Sequence, residues 1–303
     1  MLVYQYLSMN NELQTIRNIV SRNDRRNVRT VLDLEDSLEI PDAAEQSTAS
    51  RKIAREKLLQ IMTDLASETL AGIRINHVDG PEFQKDLACL QQISSRFNHL
   101  VLPKVNSAAD VDAYYSALQQ VACQEFIVLL ETAAGINNLS DILSKAKALQ
   151  ITKIHFGHWD YFLSRGDYPL PNQMHAEFWA VVEPLLQALE AEGLTYIHPP
   201  VNRLTDYALL NAVIQYLHSI SKGLWGISTL TNGQSKNVQQ TPAGTVALQL
   251  EQLPEENKLN HAQQLVAQYQ SHQYSFSITD DHVFIPPHEY LAAKQYIAKC
   301  HSN

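Results

Sequence analysis

The sequence predicts an α/β protein, a (β/α)8 TIM barrel with a C-terminal helical appendage. Three observations lead there. Short apolar runs recur eight times, each is followed by a longer stretch with apolar residues at helical spacing, and no glycine-rich phosphate loop follows the first run. The first two describe strand and helix in alternation. The third, with only 10 glycines in 303 residues, argues against a doubly wound open sheet.

The runs cover residues 4–9, 30–34, 71–76, 100–105, 126–130, 153–157, 195–198 and 224–228. Phe126-Ile127-Val128-Leu129-Leu130 shows why they read as strands, since apolar residues without polar alternation suit a strand buried on both faces. Intervening segments such as 109–122 and 141–149 carry the helical pattern. After about residue 245 the strand signal fades into Gln-rich sequence, with amphipathic stretches at 260–270 and 287–299. Between those two, Ser275-Phe276-Ser277-Ile278 and His282-Val283-Phe284-Ile285 read as a short hairpin. The expected division is therefore a barrel catalytic domain over 1–245 and a helical extension over 246–303, packing on the barrel or on a neighbouring subunit.

Composition narrows the function. At 45% hydrophobic and 18% charged this is an ordinary globular chain, with no apolar run long enough to span a membrane. Met1-Leu2-Val3-Tyr4 lacks a basic leader and reads as a first strand rather than a targeting segment. The formal charge of -9 argues against nucleic acid or anionic lipid as partner and for small-molecule chemistry. Arg22, Arg25, Arg26 and Arg29 form the one basic cluster, and in a barrel it falls on the face opposite the active site. Cys89, Cys123 and Cys300 suggest neither a disulfide framework nor a zinc site, which fits a reducing cytoplasm.

Barrel enzymes build their chemistry from the C-terminal ends of the strands. Those ends are polar here: Glu35 and Asp36 after the second run, Arg74 and Asn76 at the third, Lys104 at the fourth, Glu131 at the fifth, and His158 with Asp160 past the sixth. His198 ends the seventh, and Ser228 and Thr229 the eighth. Glu131 reads either as a site carboxylate or as the cap of a helix running through Asn137-Asn138-Leu139. Glu131 and Asp160 leave neighbouring strands at similar depth and can share a hard cation. Mg2+ takes one or two protein carboxylates and leaves room for substrate oxygens. The alternative is structural ion pairing with Arg74 or Lys104. The histidines show no zinc-like spacing. Arg74, inside an apolar strand, is either a buried partner of Glu35 or Asp36 or a fixed cation for a carboxylate or enolate oxygen, and the two roles are compatible. Lys104 is a second candidate for substrate binding. His77, His158 and His198 are placed to act as a base, although a loop or core histidine is the plainer reading of each.

An ordered set of short motifs resembles the citrate lyase beta subunit-like group of the HpcH/HpaI aldolase superfamily. Leu32-Asp33-Leu34-Glu35-Asp36-Ser37, Lys52-Ile53-Ala54-Arg55, Ile73-Arg74-Ile75-Asn76, Leu102-Pro103-Lys104-Val105, Glu131-Thr132-Ala133-Ala134-Gly135 and Phe156-Gly157-His158-Trp159-Asp160 follow the group's order. Tyr196-Ile197-His198-Pro199-Pro200 and Gly223-Leu224-Trp225-Gly226 extend the likeness more faintly toward the C-terminus. The resemblance implies a Mg2+-dependent carbon–carbon lyase or aldolase acting on a 2-oxo acid or its hydroxyacyl adduct, CoA thioesters included, assembled as a trimer or hexamer. Glu131 and Asp160 would hold the metal, Arg74 would contact the oxo or enolate oxygen, and Glu35 and Asp36 would stand near the metal waters. A thioester hydrolase with the same metal site and a non-catalytic barrel subunit are the alternatives.

Three departures weaken the acyl-CoA half of this expectation. Ser8-Met9-Asn10-Asn11 stands where the group has a Pro-Gly turn. Ile227-Ser228-Thr229-Leu230-Thr231-Asn232-Gly233-Gln234 replaces its Ile-His-Pro, and Phe284-Ile285-Pro286 stands near the place of its C-terminal aspartate.

Overall fold

The computed structural model describes residues 1–41, 43–65, 69–242, 244, 250–251, 254–271 and 276–302. All eight predicted runs are strands: β1 (Leu2–Ser8), β2 (Arg29–Asp33), β3 (Gly72–Arg74), β4 (His99–Leu102), β5 (Glu125–Leu130), β6 (Lys153–Phe156), β7 (Thr195–His198) and β8 (Trp225–Thr229). They pair in sequence order as a closed parallel barrel, with Leu2 of β1 opposite Gly226 of β8 at the seam. Closure leaves no sheet edge exposed.

Strand alternation sorts the side chains into two cores. Leu32, Leu100 and Val128 face outward onto helices through Ile16, Leu58 and Leu143. Tyr4, Val31, Val101, Ile127, Leu129 and Ile197 fill a separate cluster inside the barrel. Because side chains repeat every two residues along a strand, Asp33 follows Val31 and Glu131 follows Leu129 onto that inner face, one step nearer the mouth. The interior is tight lower down. A Cβ on Gly72 would lie 2.3 Å from the ring of His99, so a glycine is required where that buried ring crosses β3. At the floor, Glu125 pairs with Lys153 and lies 3.8 Å from Arg29, which puts the end of the basic cluster opposite the mouth.

The C-terminal segment returns to the mouth. β9 (Ser277–Ile278) and β10 (Phe284–Ile285) form the predicted hairpin as a two-stranded antiparallel sheet; Ser275 lies outside the described residues. Backbone bonds fasten it to the loop after β7: Phe284 N–H donates to the Asn202 carbonyl at 2.8 Å, and Leu204 N–H to that of His282 at 2.9 Å. Helices Glu255–Gln270 and Pro287–Ser302 pack together through Leu265, Tyr269, Tyr290 and Ala293. The expected boundary at 245/246 falls outside the described residues. Cys89, Cys123 and Cys300 are free thiols. Among the described residues no helix is long and apolar enough to cross a membrane.

Candidate functional site

At the C-terminal mouth of the barrel lies a cavity of about 230 Å³, lined in part by Asp33, Asp36, Arg74, Glu131 and Asp160. Each comes from a strand end or the turn beyond it. Asp33 and Arg74 close β2 and β3, Glu131 follows β5, and Asp160 sits in the first turn of helix His158–Arg165.

Arg74 is the best-fixed of these groups. Its Nε and Nη2 donate to the two oxygens of Asp33 at 2.7 and 2.6 Å, and Nη1 donates to Asp36 at 2.5 Å. Glu35 stands 3.2 Å from the same Nη1, and the guanidinium lies over the Tyr6 ring. Both predicted partners are therefore present. The bidentate one, Asp33, was not singled out from the sequence. The available signal was alternation, which places Asp33 two residues above the interior Val31. A guanidinium carries five N–H donors, so capacity remains for a substrate oxygen after these bonds.

Lys104 crosses the acidic group from the other side. Its Nζ donates to Glu35 at 2.6 Å and to Asp36 at 3.3 Å, and lies 4.0 Å from Asp160. Its backbone N–H donates to Glu131 Oε1 at 2.8 Å, and its φ of 54° places it in the left-handed region. A non-glycine residue held there stores strain that its surroundings must offset, and here one residue serves two carboxylates with its side chain and a third with its backbone.

Glu131 is not the cap of the helix that follows. Thr132 is, its side chain accepting from Gly135 N–H at 3.0 Å, so the Glu131 carboxyl is left for the cavity. Gly157 lets it in: a Cβ there would lie 2.6 Å from Glu131 Cβ and 2.7 Å from its Oε2. Burial, and then repulsion from Asp160, Glu35 and Asp36, raises the Glu131 carboxyl well above the usual range. Asp160 is also raised, by burial first. Asp36 behaves oppositely, since Arg74, Lys104 and His288 outweigh its burial and hold it well below the usual range.

The structure adds His288, from the first turn of helix Pro287–Ser302, which sequence reasoning missed because Pro286-Pro287-His288 offers no ligand spacing. Its Nε2 lies 3.2 Å from Asp36 Oδ1 and 3.3 Å from Asp160 Oδ1. Ligand atoms of Asp36, Asp160 and His288 all fall within 4.8 Å of one another; Glu131 is outside that triad but close enough to Asp160 for the Asp160 charge to raise its pKa. Five acids, Asp33, Glu35, Asp36, Glu131 and Asp160, thus face three cations, Arg74, Lys104 and His288. Carboxyl groups thus outnumber cations by two, and the spare donors are hard oxygens, so the residues fit one divalent cation of the Mg2+ kind.

The three histidines fall on different ground. His198 is buried in the core, stacked against Trp179 and hydrogen-bonded to Gln173 at 2.9 Å and Tyr196 at 3.1 Å. His158 lines the cavity, with burial pressing its pKa down to about 3. His77 packs edge-on against Tyr114. Of the altered segments, Ser8, Asn11, Leu230 and Thr231 line the cavity, whereas the Thr229 hydroxyl is buried and donates to the Tyr4 carbonyl at 3.0 Å.

Residues 29–207 match the family described as HpcH/HpaI aldolase/citrate lyase. Over 144 residues the chain is 31% identical to an L-malyl-CoA/beta-methylmalyl-CoA lyase of Cereibacter sphaeroides, an alignment covering 45% of this chain and 42% of that protein. The counterpart of the same name from Rhodobacter capsulatus is 30% identical over the same coverage. The chain thus spans less than half the length of the curated relatives it matches. Among solved structures, the protein CitE from Mycobacterium tuberculosis, in complex with magnesium, acetoacetate and coenzyme A, superposes with a TM-score of 0.59 at 17% identity, covering 99% of this chain and 98% of that one. RipC from Yersinia pestis superposes with a TM-score of 0.60 at 18% identity, covering 80% and 94%. At these identities the two structures speak for the shared barrel alone.

Proposed function

The chain belongs to the HpcH/HpaI aldolase/citrate lyase family, and from that premise we propose that it is a Mg2+-dependent carbon–carbon lyase or aldolase acting on a 2-oxo acid or its hydroxyacyl adduct. The observation that carries the reading is the acid-rich mouth, in which Arg74 is clamped by Asp33 and Asp36 beside two buried carboxyls, Glu131 and Asp160, whose pKa values burial raises. Those two would hold the metal, with Asp36 at hand. Bound there, Mg2+ supplies an electron sink for the oxygens of the substrate.

The chain's own residues do the rest. Arg74 turns its remaining N–H toward the oxo oxygen and stabilises the negative charge that collects on it as the carbon–carbon bond opens. Asp33 keeps the guanidinium plane from rotating, so little reorganisation is needed when that charge appears. Glu35 and Asp36 hold the Lys104 ammonium, whose charge favours a carboxylate arriving at the mouth. In this proposal residues 246–303 act as an extension over the barrel, and the protein works as a homo-oligomer in the cytoplasm.

The test is calorimetry of pyruvate, glyoxylate and oxaloacetate binding with and without Mg2+. Metal-dependent binding is expected, and Glu131→Gln should abolish it with the fold intact. An unchanged affinity in that variant returns Glu131 to a structural role.

A further inference from the structure

The wall of the cavity has two chemistries. Arg74 and the carboxylates described above make up one part. The other is apolar, built from Trp159, Pro200, Leu204, Phe276, Phe284 and Pro286. It is one continuous surface: the Phe284 ring lies 5.2 Å from that of Phe276 and 5.8 Å from that of Trp159. The hairpin that supplies it is tied to the loop after β7 by the Phe284 and Leu204 backbone bonds, and is followed directly by the helix that delivers His288. It is therefore a fixed wall of the site.

Charge is distributed just as unevenly. Among the described residues lining the cavity, Arg74 and His288 are the positively charged side chains, and both are engaged with carboxylates. No other lining side chain carries a positive charge with which the phosphates of a nucleotide-bearing thioester could pair inside the cavity. The volume of about 230 Å³ is also below the range of sites that enclose drug-sized ligands.

Resting on the lyase reading above, we infer that the substrate is a free 2-oxo or 2-hydroxy acid, not a CoA thioester, carrying a branched aliphatic or aromatic substituent that seats against Phe284, Phe276 and Trp159. The acid end meets Arg74 and the metal-binding carboxylates. The substituent gains affinity by leaving water for the hairpin wall.

The experiment is calorimetry on the full chain at saturating Mg2+ with pyruvate, 4-methyl-2-oxopentanoate, phenylpyruvate and coenzyme A. At least one of the two larger acids is expected to bind about tenfold or more tighter than pyruvate, since several carbons are buried. Coenzyme A is expected to give no binding heat. In Phe284→Ala the ratio of the two affinities should fall toward one; if that variant does not fold, Phe284→Leu should favour the aliphatic over the aromatic acid. Pyruvate binding as tightly as both larger acids, or binding of coenzyme A, overturns the inference and leaves the lyase reading standing. Failure of all three acids to bind with Mg2+ removes the lyase reading and the inference with it.

Discussion

His288, on the last helix, places its Nε2 3.3 Å from Asp160, in the first turn after β6, and so acts as a counter-ion inside the barrel mouth. Burial alone would strip the imidazole of its proton. Asp160 and Asp36 together overrule it and raise the pKa to about 9, so the ring is cationic at neutral pH.

Removing that cation should cost stability in a way that metal repairs. His288→Ala leaves two buried carboxylates short of a partner, a loss on the order of 3–5 kcal/mol. Mg2+ competes for the same oxygens, so the fall in melting temperature is expected to be clearly smaller at roughly a thousandfold excess of Mg2+ over its Kd than in EDTA. Equal losses in both conditions would separate His288 from the proposed metal site.

Asp33→Asn tests the clamp on Arg74. The amide keeps the shape but removes the charge and one acceptor from a bidentate buried pair, at a cost of roughly 3 kcal/mol. Mg2+-dependent 2-oxo acid binding should weaken at least about tenfold, because the guanidinium is no longer fixed in plane. Chemical denaturation and calorimetry read the two effects separately. Wild-type affinity in a destabilised variant would make Asp33 purely structural.

Gly157→Ala puts a methyl group where Glu131 already lies, at 2.6 Å from its Cβ and 2.7 Å from its Oε2. Backbone and side chain must both yield, costing about 1–3 kcal/mol. The carboxyl is displaced from the cavity, so metal affinity should drop even where the barrel still folds. Circular dichroism and Mn2+ titration by electron paramagnetic resonance distinguish misfolding from a misplaced ligand.

Part of the acid sensitivity should arise at the barrel floor, away from the acidic mouth. Burial, helped by Arg29 and Lys153, lowers the pKa of His99 from 6.5 to about 3. Between those values the unfolded chain binds a proton that the native one does not, so stability rises with pH across the window and is lost as pH falls below 6.5. Urea unfolding at pH 7 and pH 5 should show the decline. His99→Gln, which cannot titrate, should make it shallower.

The strands were legible because a parallel barrel buries both faces of every strand, leaving apolar runs that need no partner to be recognised. Glu131 and Asp160 were legible for the complementary reason, as acids stranded where such runs stop. Asp33 was harder to see, because within Leu32-Asp33-Leu34 it looks like one more strand residue until alternation assigns it to the inner face. His288 could not be read at all: its role depends on a hairpin folding back across more than two hundred and fifty residues from Asp36, and no local pattern records that return. The ends of the eight strands announced a site, whereas its roof belonged to tertiary structure.

The pairing of β1 with β8 means that the barrel cannot close until its eighth strand has been synthesised, and His288 and the hairpin wall leave the ribosome later still. During translation Asp36 therefore meets Arg74 and Lys104 long before the last helix can bring it His288. A nascent chain halted between β8 and β9 would hold the carboxylates of the barrel mouth without the His288 cation and without the hairpin wall.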